Sequence, residues 1–226
     1  MPTVLITGAK RGIGRGLVER FTEHGWQVIA TGRDATKTDL ANRGEQITAM
    51  DVDVADDQSI AALATKLAGR PLDLLINNAG VYDVPRNQLD TVTRDAWLHE
   101  MSVNSMAPLL VTRALLPNLL AGERRHVAVI SSKMGSITDN SSGSSYMYRS
   151  SKAAANAVLR SLSHDLSGDG FTCVTLHPGW VQTDMGGPSA TTTVEQSTTG
   201  LANLLMKLTP EQNGRFFNFD GTELPW

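Results

Sequence analysis

The chain has 226 residues and a formal net charge of -3, with a pI near 5.9, which excludes a global basic field for nucleic acid or an anionic membrane surface. No window approaches the roughly 18 apolar residues of a membrane span, and the single Cys173 excludes an intrachain disulfide. The N-terminus enters an apolar run without a basic leader, so the expectation is an untargeted, cytoplasmic protein folded as one α/β domain over residues 1–226.

Short runs rich in Val, Ile and Leu alternate with longer stretches of helical periodicity, the pattern of βα units in a parallel sheet covered on both faces. In chain order the predicted strands are Thr3–Thr7, Gln27–Thr31, Gln46–Met50, Leu72–Asn77, His126–Ser131, Thr172–His177 and Phe216–Phe219. The predicted helices between them are Ile13–His24, Asp57–Leu67, Arg94–Leu120, Tyr146–Leu166 and Thr193–Lys207. Cys173 lies inside a buried strand and reads as a small core residue. The alternation predicts a Rossmann-type doubly wound sheet of about seven mainly parallel strands, with ligands outside their carboxyl ends. Two segments on that side, 139–145 and 186–193, interrupt the alternation and are candidate active-site loops.

Between the first strand and the first helix the sequence reads Thr7-Gly8-Ala-Lys-Arg-Gly12-Ile-Gly14. Glycines there permit a tight turn and close backbone approach to a pyrophosphate, while the helix N-terminus supplies oriented N–H donors. Gly8, Gly12, Ile13 and Gly14 are therefore candidate nucleotide contacts. The second strand ends Thr31-Gly32-Arg33, with no acid to hold a ribose 2′-hydroxyl. Arg33, together with Lys10 or Arg11, can grip a 2′-phosphate instead, which selects NADP(H).

Ser131-Ser132 closes the fifth predicted strand, and the choice of Ser132 over Ser131 or Ser136 rests on its place after Val129-Ile130. Tyr148 and Lys152, four apart on the next helix, share one face. The ammonium is expected to lower a phenol pKa of about 10 toward working pH and make Tyr148 a usable acid. Tyr146 meets Ser150, not a lysine, at the same spacing. His177 has no partner that would make it a base, and the five histidines lack metal-ligand spacing, so no metal is expected.

Together these features resemble the short-chain dehydrogenase/reductase family, over essentially the whole chain. The family's glycine motif matches Thr7 to Gly14, its Asp-Val pair near the adenine matches Asp53-Val54, and its Asn-Asn-Ala-Gly motif is intact at Asn77, Asn78, Ala79 and Gly80. Its helical Asn matches Asn104, its catalytic Ser, Tyr and Lys match Ser132, Tyr148 and Lys152, and its Pro-Gly motif matches Pro178-Gly179, followed by Val181 and Thr183. The stretch His177 to Gly187 and the ending Phe217 to Trp226 look like the C-factor and sniffer-like carbonyl reductase branch. The resemblance implies NADPH-dependent reduction of a ketone, aldehyde or quinone. Tyr148 would be the general acid, Ser132 would bind the carbonyl oxygen, Lys152 would hold the nicotinamide ribose, and Asn104 would order a water leading to Lys152. A nucleotide-binding signalling protein of the C-factor type and an oxoacyl-thioester reductase are the alternatives. The resemblance also implies a homodimer, with a homotetramer as the alternative, paired through the Tyr148 helix, where Ala153, Ala155 and Ala157 permit close approach. The only other partner expected is the small carbonyl substrate.

Overall fold

The computed structural model describes residues 1–83 and 87–226. Seven strands form one parallel sheet: β1 (Thr3–Ile6), β2 (Gln27–Gly32), β3 (Ile47–Asp51), β4 (Leu74–Asn77), β5 (His126–Ile130), β6 (Thr172–His177) and β7 (Arg215–Asn218). Their order is β3-β2-β1-β4-β5-β6-β7, and every neighbouring pair is parallel. The chain runs outward from β1 to β3, then returns to place β4 on the other side of β1. That reversal opens the crevice where a doubly wound sheet holds its ligand.

Both faces of the sheet are dry, and alternate residues of a strand serve opposite cores. Val4 and Ile6 pack with Leu17, Val18 and Phe21 of α1 (Gly12–Glu23) and with Leu201, Ala202 and Leu205 of α7 (Val194–Met206). Leu5 between them faces the other side. There it joins α2 (Asp57–Lys66), α4 (Ala107–Ala114) and α6 (Tyr146–Asp165) through Leu63, Val111 and Leu159. Cys173 is buried in this second core, where burial pushes its thiol up to about 12. Among the described residues no helix is long and apolar enough to cross a membrane.

The predicted single helix Arg94–Leu120 is divided. It begins as α3 (Arg94–Met101), widens into a π turn at Ser102–Met106, resumes as α4, breaks at Leu115 and ends as α5 (Leu116–Ala121). Two prolines account for the divisions. Pro108 has no N–H for the carbonyl of Asn104, four residues back, and Pro117 has none for Arg113. Next to Pro108 the ladder shifts register, so that Ala107 donates to Ser102, five residues back.

Candidate active site

The turn after β1 is built so that backbone, not side chains, faces the crevice. Gly8 and Gly12 adopt φ of 66° and 54°, the left-handed region that glycine enters without strain. Gly14 sits against the Gly8 carbonyl oxygen, and a Cβ there would also lie 2.5 Å from Asn78 Nδ2. α1 starts at Gly12 with no side chain capping it, so its first N–H groups remain for an anion. A turn with no room for a Cβ, leading into an uncapped helix, fits a dinucleotide pyrophosphate.

Asn78 fastens this turn to β4. Its Nδ2 donates to the carbonyls of Thr7 (2.8 Å) and Gly8 (3.2 Å), and the Thr7 hydroxyl accepts the backbone N–H groups of Asn78 and Ala79, both at 3.0 Å. The Asn78 side chain thus acts on the nucleotide crevice through the loop it holds. Two residues on, Gly80 closes against the π turn and α6; a Cβ on it would lie 3.3 Å from Asn104 Oδ1 and 3.4 Å from Lys152 Nζ.

At the tip of β2 the two candidate cations of the glycine turn part company. Arg11 forms an exposed ion pair with Asp184 of the β6–α7 connection. Lys10 lays its stem over Gly32, where a Cβ would meet Lys10 Cγ at 3.3 Å. Arg33, next along, is exposed and makes no hydrogen bond or ion pair among the described residues. At the end of β3, Asp53 accepts the Ala55 N–H and Val54 packs against the second core. The β6–α7 connection folds back over the turn: the Thr183 methyl lies 3.1 Å from where a Gly12 Cβ would be, and Val181 bridges to Thr192. Pro178 is held by Ser197, which donates to its carbonyl at 2.6 Å, and Gly179 turns the chain with φ of 86°. This connection carries the exposed Trp180 and Met185.

The chemistry-bearing side chains meet where β5 ends against α6. Ser131 faces the helix and donates to Asn156 Oδ1 at 2.6 Å; Ser136 donates to the Trp226 carbonyl at 2.8 Å. Only Ser132 of the three candidate serines faces the Tyr148 phenol. Lys152 Nζ donates to the Ile130 carbonyl at 2.9 Å and lies 5.7 Å from the centre of the Tyr148 ring. Asn104, on the π turn, is locked in place. Its Nδ2 donates to the Val81 carbonyl and to Ser151 Oγ, both at 2.9 Å, and its Oδ1 accepts the Val81 N–H at 2.8 Å. Its own carbonyl is the one Pro108 cannot serve.

The electrostatics reverse one expectation. Burial pushes the Tyr148 phenol well above its ordinary value; the Ser132 hydroxyl pulls the other way, and Glu100 and Tyr82 add to the rise. Lys152 is not among the groups that lower it, and burial draws its own ammonium down to about 8, with Glu100 opposing. Desolvation is the largest cause for both groups. His177, buried at the end of β6 and drawn down by burial to about 4, has an Nδ1 without a hydrogen-bond partner among the described residues and faces no nucleophile. No group of three metal-ligating side chains occurs among the described residues.

Three buried or half-buried residues at this centre were not singled out from the sequence. Tyr82 sets its ring 4.4 Å from that of Tyr148, tilted by 34°, and shares a 2.8 Å hydrogen bond with Ser145. Asn87 and Glu100 lie behind the phenol, 0% and 1% exposed. A hint for Glu100 was its spacing four residues before Asn104, on the same helical face.

A doubly wound parallel sheet with a side-chain-free nucleotide turn, and a Ser-Tyr-Lys trio at the strand ends beside it, defines a nucleotide-dependent oxidoreductase. Residues 2–193 match the family model for short chain dehydrogenase. C-signal of Myxococcus xanthus is 47% identical over 165 residues, which are 73% of this chain and 99% of that protein. NADPH-bound carbonyl reductase from chicken fatty liver superposes with a TM-score of 0.92 at 35% identity, over 100% of this chain and 99% of that one. Carbonyl reductase Sniffer of D. melanogaster gives 0.93 at 35% identity, over 100% of both chains. The chain belongs to the short-chain dehydrogenase family, within the C-factor and sniffer-like branch that its loops indicated.

Proposed function

We propose that the protein reduces the carbonyl of a small ketone, aldehyde or quinone to an alcohol, using NADPH. The observation that carries this reading is the meeting of Ser132, Tyr148 and Lys152 beside the nucleotide turn. The backbone at Gly8, Gly12, Ile13 and Gly14 would hold the pyrophosphate. Asp53, Val54, Asn78, Ala79 and Gly80 would line the adenosine side, and Pro178, Gly179, Val181 and Thr183 the nicotinamide side. When bound, NADPH supplies the hydride. Ser132 donates a hydrogen bond to the substrate's carbonyl oxygen, and Tyr148 gives that oxygen its proton. Lys152 holds the ribose and returns a proton toward Tyr148, and the Asn104 carbonyl anchors a water behind it. Positioning and charge stabilisation carry the rate. The exposed apolar side chains Trp180, Met185 and Ile137 around this end of the sheet favour apolar or aromatic carbonyls over charged ones. A cytoplasmic location agrees with the lone, buried Cys173.

Lys10 and Arg33, rather than Arg11, would grip the 2′-phosphate, because Arg11 is already paired with Asp184. One charge-assisted hydrogen bond contributes about 1.5–3 kcal/mol, less when exposed, so NADPH is expected to be preferred over NADH by about tenfold or more in kcat/KM. Gly32→Asp with Arg33→Ala should move the preference toward NADH mainly through KM, since the change is remote from the hydride. Coenzyme oxidation against a panel of aldehydes, quinones and activated ketones checks both statements. Equal use of the two coenzymes would remove the role of Arg33. Coenzyme binding without turnover on the whole panel would favour the second reading, a signalling role, for which the likeness to C-signal speaks.

A homodimer is the proposed assembly. Leu109 of α4 and Ala157 and Val158 of α6 line a shallow, outward-facing hollow, whereas Ala153 is half-buried and Ala155 is buried against the sheet. Light scattering at micromolar concentration should give twice the chain mass; a single-chain mass would assign this face to solvent.

A further inference from the structure

Tyr148 is the third residue of α6, and its backbone N–H is one of the donors that a helix start leaves without an internal partner. Ser145, the residue in the capping position, makes no side-chain hydrogen bond to the N–H groups of the helix start. The partner comes from far along the chain: Asn87 Oδ1 accepts the Tyr148 N–H at 2.9 Å. Asn87 Nδ2 donates to the Asp83 carbonyl and to Glu100 Oε1, both at 2.8 Å, and Glu100 Oε1 also accepts the Asp83 N–H at 2.7 Å.

The two ends of an amide are not interchangeable, since the oxygen accepts and the nitrogen donates. The Asp83 carbonyl and the Glu100 carboxylate require the nitrogen, whereas the Tyr148 N–H requires the oxygen. One orientation of Asn87 satisfies all three, and Glu100 is the side chain that selects it. We propose that Asn87 and Glu100 are positioning residues: Glu100 fixes the Asn87 amide, and Asn87 fixes the first turn of α6, hence the Tyr148 phenol. The proposal rests on Tyr148 being the proton donor.

Two observations separate this role from electrostatic activation and from plain stability. The Glu100 charge raises the phenol's pKa, opposite to what an activator of Tyr148 would do. Glu100 Oε2 is buried without a hydrogen-bond partner among the described residues, a penalty that an apolar side chain would avoid. The start of α6 also needs outside support, because Ser144 and Ser145 enter it with φ of 59° and 53°. The same β4–α3 connection supplies that support, through Gln88 to Ser144 and Tyr82 to Ser145, both at 2.8 Å.

The test compares Asn87→Ala, Glu100→Leu and Glu100→Gln in the whole chain, with two readouts. The first is backbone amide exchange at Tyr148 without coenzyme; the second is carbonyl turnover with the KM for NADPH determined separately. Asn87→Ala and Glu100→Leu should speed Tyr148 exchange by about tenfold, the equivalent of one hydrogen bond. They should lower kcat by about tenfold or more, with the NADPH KM within about twofold. Glu100→Gln keeps the Oε1 acceptor and should match the unmutated protein in both. Unchanged Tyr148 exchange in Asn87→Ala overturns the proposal. A Gln variant as impaired as the Leu variant overturns it too, because charge would then be the operative property. If the unmutated protein turns over no carbonyl while the exchange pattern holds, the reductase reading fails and the clamp stands. Should Glu100→Leu not fold, Asn87→Ala and Glu100→Gln still make both comparisons.

Discussion

Tyr148→Phe is expected to lower kcat for carbonyl reduction by about 10²–10⁴-fold, the range a positioned general acid contributes, while NADPH affinity stays within a few-fold. The substitution removes one buried hydroxyl and its contact with Ser132. It leaves the ring, its packing against Tyr82 at 4.4 Å and the backbone bond to Asn87 in place. Lys152 also keeps its bond to the Ile130 carbonyl, so the ribose side of the crevice is undisturbed. Steady-state turnover together with coenzyme fluorescence titration separates the two quantities. Near-normal kcat would mean that another group delivers the proton, and the reading built on Tyr148 would be lost.

The second large effect is expected at Gly14. An alanine there places a Cβ against the Gly8 carbonyl and 2.5 Å from Asn78 Nδ2, and neither neighbour is a flexible side-chain end free to move aside. Relief requires breaking the Asn78 bonds that fasten the turn to β4. Overpacking of this kind costs about 1–3 kcal/mol, and here the distortion falls on the groups that face the pyrophosphate. NADPH binding should weaken by at least about tenfold, the equivalent of about 1.4 kcal/mol, with a lowered melting temperature. Gly168→Ala is the control: a Cβ there meets nothing within 4 Å and the backbone is not left-handed, so both quantities should hold. Wild-type affinity in the Gly14 variant would show that the turn does not define the nucleotide site.

Much of the fold was legible because it rests on local composition. Val4 to Ile6, Val28 to Ala30 and Val127 to Ile130 are apolar runs with no plausible home except a sheet covered on both faces. Tyr148 and Lys152 were legible for a similar reason, since a four-residue spacing on a helix fixes a shared face whatever lies around it. The division of the helix after Arg94 was half visible: Pro108 and Pro117 stand in the sequence, but a proline marks only a missing N–H and not the register that the ladder takes beside it. The pairing of Arg11, which bears on the proposed choice between Lys10 and Arg11, was hidden, because its partner Asp184 lies far along the chain. Asn87 and Glu100 were hidden likewise, as nothing near them marks a cap for a helix that begins at Tyr146. The sign of the Tyr148 shift was misjudged from sequence because spacing reports proximity to Lys152 and says nothing about the water both groups lose.

The strand order has a consequence for how the chain assembles during synthesis. β2 pairs with β1, β3 with β2, β4 with β1, and β5, β6 and β7 each with the strand before it. Every strand after β1 therefore finds a partner already made, and the sheet can grow as the chain emerges, with the second edge of β1 open until β4 follows. One surface is the exception. α1 packs against α7, whose Thr198 and Val194 come so close to Gly16 that a Cβ there would lie 2.8 Å and 3.0 Å from their side chains. The helix that opens the nucleotide turn is made well before α7, so its outer face stays uncovered until residues 194–206 have followed. The helix behind the crevice thus gains its cover only once α7 has been made.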